Sequence, residues 1–372
     1  MTATVSTYKT LCVIVPRMKT AHKVFYSDSS NMASVDSNSV GLIITSPPYP
    51  MVEMWDGIFS QQSTSVHKHL AGLDGYAAYT EMHEVLKKVW LESYRVLQDG
   101  CFLCINIGDA TRKVGDNFRL YTNHSRITEI CEAIGFESLP AIIWRKQTNA
   151  PNKFMGSGML PSGAYVTLEH EYILVFRKKS KREFSGTMKD LRRESAFFWE
   201  ERNIWFSDLW DFKGARQTIV KSGTRERSGA FPFELAYRLI NMYSLLGETV
   251  LDPFMGTGTT ALAAMCAGRS SLGFEIDNNL VNYHDFCANS VKYILNNIVK
   301  ERLNSHIKFI VEYMERKGET KNYNDTYNFH VVTAQENDLI LHKIESIKMD
   351  GNSIDVSHSK LLISDLVADS LF

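Results

Sequence analysis

The sequence carries no excess of either charge, with 41 Lys and Arg against 42 Asp and Glu, so composition alone advertises no nucleic-acid partner. It has no apolar run approaching a membrane span, and the stretch from Leu11 to Val15 is too short for the hydrophobic part of a secretion signal. The expected location is the cytoplasm. Cysteine is scarce: Cys12, Cys101, Cys104, Cys131, Cys266 and Cys287 lie scattered among apolar neighbours, which reads as reduced, buried thiols and excludes a disulfide framework. Cys101 and Cys104 have the spacing of half a zinc site, but they sit in an apolar strand without a second pair. There is no internal repeat. Against these absences stand 44% hydrophobic and 11% aromatic residues in 372, enough to bury a large core and to rule out disorder as the main state. At more than twice a domain of roughly 150 residues, the chain should hold one catalytic-size domain with additions.

Charge is balanced in sum but not in place. Between Ala141 and Arg227, 17 Lys or Arg stand against 10 Asp or Glu, most densely at Arg177-Lys178-Lys179-Ser180-Lys181-Arg182. Such a run is either a solvated face or a phosphate-contacting one.

Strand and helix patterns alternate along the chain. Val40 to Thr45 is a compact apolar run that stops at Ser46-Pro47-Pro48-Tyr49, because two prolines without N–H groups cannot continue a central strand. Apolar residues from about Gly75 to Leu97 recur at helical spacing and close on Asp99-Gly100. A buried strand follows to Ile107, then a helix ending at Gly135, then strands at Ala141 to Trp144 and Tyr172 to Phe176, separated by a loop from Asn149 to Gly163. The segment from Arg177 to Arg227 is basic and aromatic without a clean period, and reads as an insert. A βαβ pattern resumes with a helix from about Pro232, the strand Glu248 to Leu251, a glycine loop, the helix Thr259 to Ala267 and the strand Ser270 to Glu275. Helical patterns then run to about Lys317, and two strand-like runs flank Gly351-Asn352. The expected organisation is 1–176, a first catalytic part; 177–227, an insert; 228–290, a second catalytic part; and 291–372, an extension whose chemistry has no name.

Two loops carry chemistry. In Asp252-Pro253-Phe254-Met255-Gly256-Thr257-Gly258-Thr259-Thr260, glycines permit a tight turn and close approach of a ligand, and the next helix presents unpaired N–H groups. A Gly-x-Gly alone is also how any strand turns sharply into a helix. Glu275 raises the functional reading, since it ends the next strand about 20 residues on, where doubly wound folds place an acid on ribose hydroxyls. Ala261 stands where a dinucleotide fingerprint has its third glycine, and an acid before the turn suits a cationic ligand better than a pyrophosphate. S-adenosyl-L-methionine is cationic, has a ribose and lacks phosphate. In the other loop, Ser46, the Pro47 carbonyl and Tyr49 supply two acceptors and an aromatic face. An exocyclic base amine is a poor nucleophile because its lone pair is delocalised. Two acceptors on its N–H groups would aim that lone pair at a methyl donor, which is catalysis by orientation. A Pro-Pro turn that merely ends a strand is the competing reading.

With these two motifs the chain resembles the amino-methylating DNA methyltransferases of the β arrangement, in which the catalytic motif precedes the cofactor loop. The likeness spans about Tyr26 to Asp277. It implies an α/β fold, a doubly wound, mostly parallel Rossmann-like methyltransferase sheet with an inserted target-recognition region and a C-terminal extension. It implies a catalytic set of Ser46, Pro47, Pro48 and Tyr49, and a cofactor set of Asp28, Phe231, Asp252, Phe254, Gly256, Gly258, Thr259 and Glu275. Ser228-Gly229-Ala230 departs from the family, which has a histidine nearby, and this weakens the assignment of Phe231. The implied cofactor is S-adenosyl-L-methionine, with no metal. The implied partner is double-stranded DNA, not a membrane, with a homodimer as the assembly to test.

In that family a serine before Pro-Pro-Tyr is typical of cytosine N4 methylation, and Asp or Asn usually marks adenine N6 methylation. The expected activity is therefore cytosine N4 methylation of a specific duplex sequence by base flipping, of the restriction-modification type. The insert is the expected phosphate-contacting and base-reading region, with most of its aromatics forming a local core. Trp55 either lines the pocket or packs beneath it, and His170-Glu171 is expected to satisfy local hydrogen bonds, with a nucleic-acid contact as the alternative. Cytosine C5 methylation is disfavoured because no cysteine follows a proline. Adenine N6 methylation, a non-catalytic DNA-binding module and, more remotely, a nicotinamide oxidoreductase are the alternatives.

Overall fold

The computed structural model describes residues 18–146, 155–156, 159–213, 231–280, 283–350 and 353–367. Ten strands among these form one sheet: β1 (Met18–Phe25), β2 (Val40–Thr45), β3 (Leu97–Ile107), β4 (Phe136–Arg145), β5 (His170–Lys178), β6 (Leu209–Asp211), β7 (Thr249–Asp252), β8 (Ser270–Phe274), β9 (His342–Asp350) and β10 (Ser353–Lys360). Their order is β6-β4-β5-β3-β2-β7-β8-β1-β10-β9. The central run from β3 to β1 is parallel. β5 and β10 flank it antiparallel. The fold is thus the α/β, mostly parallel, doubly wound sheet expected from the sequence.

All six residues of β2 are buried, because helices cover both faces of the sheet. Leu42 and Ile44 join the core under the helices Phe233–Tyr243 and Thr259–Ala267, whereas Val40 and Ile43 join the opposite core under the helix Gly75–Val96. That helix starts where the Asp74 carboxylate accepts the Ala77 N–H at 3.0 Å, and it buries Tyr79, Met82, Leu86, Val89, Trp90 and Val96. The chain leaves β2 toward β3 on one side and leaves β7 toward β8 on the other. Where neighbouring strands send their connections in opposite directions, their loops part and leave a crevice at the carboxyl edge.

The segment after β5 is more ordered than its sequence pattern announces. It holds the helices Thr187–Glu194 and Trp199–Trp205, and β6 extends the sheet edge. Trp205 and Trp210 are buried, and the Trp210 indole donates to the Trp205 carbonyl at 3.1 Å, while Phe206 is exposed. The extension adds the helix Asn289–Lys317 and the hairpin β9-β10, which pairs with β1. Arg302 from this helix forks onto Glu201, its Nη2 2.8 Å from Oε2. The extension is therefore built into the sheet and clamps the helix Trp199–Trp205. The residues expected to turn this hairpin, Gly351-Asn352, and the apolar run Leu11 to Val15 lie outside the described residues.

Candidate active site

β2 and β7 lie side by side in register, so their carboxyl ends bring together loops some two hundred residues apart. Asp252 is the clasp. Its Oδ1 accepts the Thr45 hydroxyl at 2.7 Å and the Phe254 N–H at 3.0 Å, and its Oδ2 accepts the Thr260 hydroxyl at 2.6 Å. One carboxylate thus fixes the end of β2, the glycine loop and the first turn of the next helix. Burial pushes its pKa up to about 6, against the pull of these donors.

On the cofactor side, Glu275 follows β8. Its Oε2 accepts the Gly256 N–H and its Oε1 the Asp277 N–H, both at 2.9 Å, and burial raises its pKa. The two loop glycines do different work. Gly256 has φ +53° and open space where a Cβ would project, whereas a Cβ on Gly258 would lie 2.4 Å from the Phe286 ring. Gly256 gives access, and Gly258 lets the loop pack on Phe286. Phe231, Phe254, Gly256, Thr259 and Glu275 line a common cleft with Asp252. Asp28 is not among its lining residues; it caps a turn by accepting the Ser30 N–H at 2.8 Å.

On the catalytic side, Ser46, Pro47, Pro48, Tyr49 and Trp55 line the same cleft. The Ser46 hydroxyl donates to Tyr49 Oη at 3.2 Å, and Tyr49 Oη donates to Glu171 Oε2 at 3.0 Å. Asn106 Nδ2 donates to Tyr49 Oη at 2.9 Å and to Glu171 Oε2 at 2.7 Å, and Lys146 Nζ pairs with Glu171 Oε1. Burial, then the facing Glu171 carboxylate, push the Tyr49 phenol well above its ordinary value. The ring packs on Gly108, where a Cβ would stand 3.0 Å from Tyr49 Cε2. Sequence reasoning named Ser46 and Tyr49 but missed Asn106 and Lys146, and gave Glu171 only local bonds. The available signals were one amide inside the apolar run Cys101 to Ile107 and one acid opening the run Tyr172 to Phe176.

The cleft encloses about 590 Å³, and its described lining offers four carboxylates, Glu171, Asp252, Glu275 and Asp277, against one ammonium, Lys146. That volume holds a nucleoside-sized ligand. The charge disfavours a polyphosphate and suits a cation, while Glu275 leaves carboxylate lone pairs for hydroxyls. These residues therefore fit S-adenosyl-L-methionine.

The basic run lies elsewhere. Because β5 is antiparallel, it carries Glu171 at the carboxyl edge and the run at the amino edge. There Arg177 pairs with Glu137, Lys179 with Asp99 at 2.9 Å and Arg182 with Glu248 at 2.5 Å. Lys178 is buried and donates to the Leu97 carbonyl and Asn38, both at 2.7 Å. The expectation that this part of the insert meets DNA phosphates beside the cleft does not match its placement. The rest of the insert's basic residues, from Arg216 to Arg227, lie outside the described residues, as do Ser228-Gly229-Ala230.

A family model described as DNA methylase, for N6 and N4 methyltransferases, matches residues 40–286. The type II methyltransferase M.MthZI of Methanothermobacter thermautotrophicus is 50% identical over 339 residues, 90% of this chain and 94% of that protein. M.MjaI of Methanocaldococcus jannaschii, also a type II methyltransferase, is 48% identical over 273 residues, 70% of this chain and 89% of that protein. Among solved structures, a DNA modification methylase of Thermus thermophilus in complex with S-adenosyl-L-methionine, titled as a putative one, is 30% identical with a TM-score of 0.52, over 74% of this chain and 95% of that one. No helix among the described residues is long and apolar enough to cross a membrane.

Proposed function

The chain belongs to the DNA methylase family of N6 and N4 amino-methyltransferases, and from that premise we propose that it methylates the N4 amino group of cytosine within a specific double-stranded DNA sequence, as the modification half of a restriction-modification pair. S-adenosyl-L-methionine supplies an electrophilic methyl group on a sulfonium. Glu275 would hold the ribose hydroxyls, Gly256 would allow the close approach, Phe254 and Phe231 would cover the apolar parts of the cofactor, and Thr259 would face it from the helix start. Asp252 acts through the loops it ties together, and Asp28 and Gly258 through loop shape.

The carrying observation is the state of Ser46. Its proton is committed to Tyr49 Oη at 3.2 Å, so its lone pairs face the cleft as acceptors. An amino group held there and on the Pro47 carbonyl presents its lone pair to the cofactor side, one clasp away through the 2.7 Å bond from Thr45 to Asp252. The Tyr49 ring would stack on the extruded base, whose unstacking costs a few kcal/mol. Cytosine is favoured over adenine by the neutral serine at position 46. We place DNA recognition in residues 177–227 together with the end of β4, which reaches the carboxyl edge, and the catalytic parts in residues 1–176 and 228–290.

The deciding experiment incubates the protein with methyl-labelled S-adenosyl-L-methionine and duplex DNA, then identifies the labelled nucleoside. N4-methylcytosine is expected. N6-methyladenine overturns the choice of base, and the absence of label in any DNA overturns the activity.

A further inference from the structure

Glu171 is not needed to stack a base or to bind the cofactor, yet it is held at the floor of the cleft with its side chain only 11% exposed. A buried carboxylate is costly unless several donors satisfy it, and this one has three: the Tyr49 phenol, the Asn106 amide and the Lys146 ammonium. The donors differ in what they offer. Asn106 gives a fixed N–H, and turning its amide over would set Oδ1 against the carboxylate. Lys146, 39% exposed, opens toward solvent. Tyr49 alone both accepts, from Ser46 at 3.2 Å, and donates, to Glu171 at 3.0 Å. The result is an unbroken hydrogen-bonded line from the serine hydroxyl in the cleft to a carboxylate behind it.

Resting on the methyl-transfer reading above, we infer that Ser46, Tyr49 and Glu171 form a relay that removes the proton from the amino group as it is methylated. An exocyclic amine that gains a methyl group without losing a proton is left cationic and strongly acidic, so the step needs a proton acceptor. The N–C bond forms while the C–S bond breaks with its electron pair going to sulfur. The amino proton passes to Ser46 Oγ as the Ser46 proton moves to Tyr49 Oη and the Tyr49 proton moves to Glu171 Oε2. The base leaves as a neutral methylamino compound, and Glu171 returns its proton to water on the Lys146 side. No charged serine or tyrosine is formed, which suits a buried phenol. Glu171 is a positioning residue in this scheme, since it acts through Tyr49.

The test compares wild type, Glu171→Gln, Tyr49→Phe and the double variant in single-turnover transfer to duplex DNA. Glutamine keeps the shape and a hydrogen bond but cannot take the proton, and Phe keeps the stacking ring but cuts the line. Each single variant should transfer about 100-fold more slowly, the size usual for a lost general base. KM for DNA and Kd for S-adenosylhomocysteine should stay within threefold. The double variant should be no slower than either single one, because both break one relay. A wild-type solvent deuterium isotope effect should disappear in Tyr49→Phe. Transfer by Glu171→Gln within threefold of wild type, or multiplying losses in the double variant, overturns the relay and leaves the methyltransferase reading intact. Should Glu171→Gln fail to fold, Tyr49→Phe with its isotope effect decides the matter. A wild type that labels no DNA sinks the underlying reading instead.

Discussion

The two edges of the central sheet handle charge in opposite ways. At the amino edge the densest cationic run of the chain is neutralised locally, with Arg177, Lys179 and Arg182 on carboxylates and Lys178 buried on a carbonyl. At the carboxyl edge few cations are present, and the carboxylates that line the cleft are held by hydroxyls and N–H groups, with lone pairs left toward the opening. Parallel strands explain the division: every parallel strand delivers its terminal loop to one edge, and the connections part there. Charge density in a sequence therefore does not locate charge presentation in a fold. Which edge a run reaches depends on strand direction.

The harshest way to break this contrast is to remove the clasp at the carboxyl edge. Asp252→Ala leaves the Thr45 and Thr260 hydroxyls and the Phe254 N–H without their buried acceptor. The expected cost is about 3–5 kcal/mol in denaturant unfolding, together with complete loss of methyl transfer. Asp252→Asn separates charge from shape. Because the folded acid is raised to about 6 from an ordinary 3.8, its contribution is fully present below pH 3.8 and is lost as pH rises through 6. The stability of wild type relative to Asp252→Asn should fall by roughly 3 kcal/mol over that window, and stay flat above pH 7. A difference that grows with pH would reverse the assignment.

At the amino edge the corresponding cut should reach stability alone. Arg182→Ala strands Glu248, whose side chain is 11% exposed, and should cost about 1–3 kcal/mol. Well below the melting temperature, its transfer rate and DNA affinity should match wild type. A loss of transfer in the fully folded variant would mean that the two edges are coupled through β7, one residue beyond Glu248.

The same division explains what could be read from the sequence. Ser46 to Tyr49 and Asp252 to Glu275 were legible because each is a contiguous strand-to-loop unit whose chemistry lies in its own residues. Long periodic elements such as the helix Gly75–Val96 were legible for the same reason. The relay was not, because Tyr49, Asn106, Lys146 and Glu171 arrive from four places and meet only through strand order. β1 was hidden by its inward side chains: Thr20 and His22 are buried but polar, with Thr20 Oγ1 bonded to His358 at 2.9 Å and His22 Nδ1 to Ser271 at 2.8 Å, so no apolar alternation marks the strand. The basic run misled because a sequence does not reveal that β5 runs against its neighbours.

The gentlest test asks whether the amino edge touches DNA at all. Lys179 and Lys181 are the exposed members of the run. A phosphate contact contributes a released counterion, so each lysine lost from a DNA interface lowers the slope of log affinity against log salt by about 0.9. With Lys179→Ala and Lys181→Ala combined, the slope and the affinity for duplex DNA should stay within error of wild type, at most a twofold change. A slope lower by about 2 would place DNA across the amino edge. The extruded base would then have to reach the cleft from the far side of the sheet, which the buried, two-sided packing of β2 and β7 does not permit, so the location of the cleft itself would need revision.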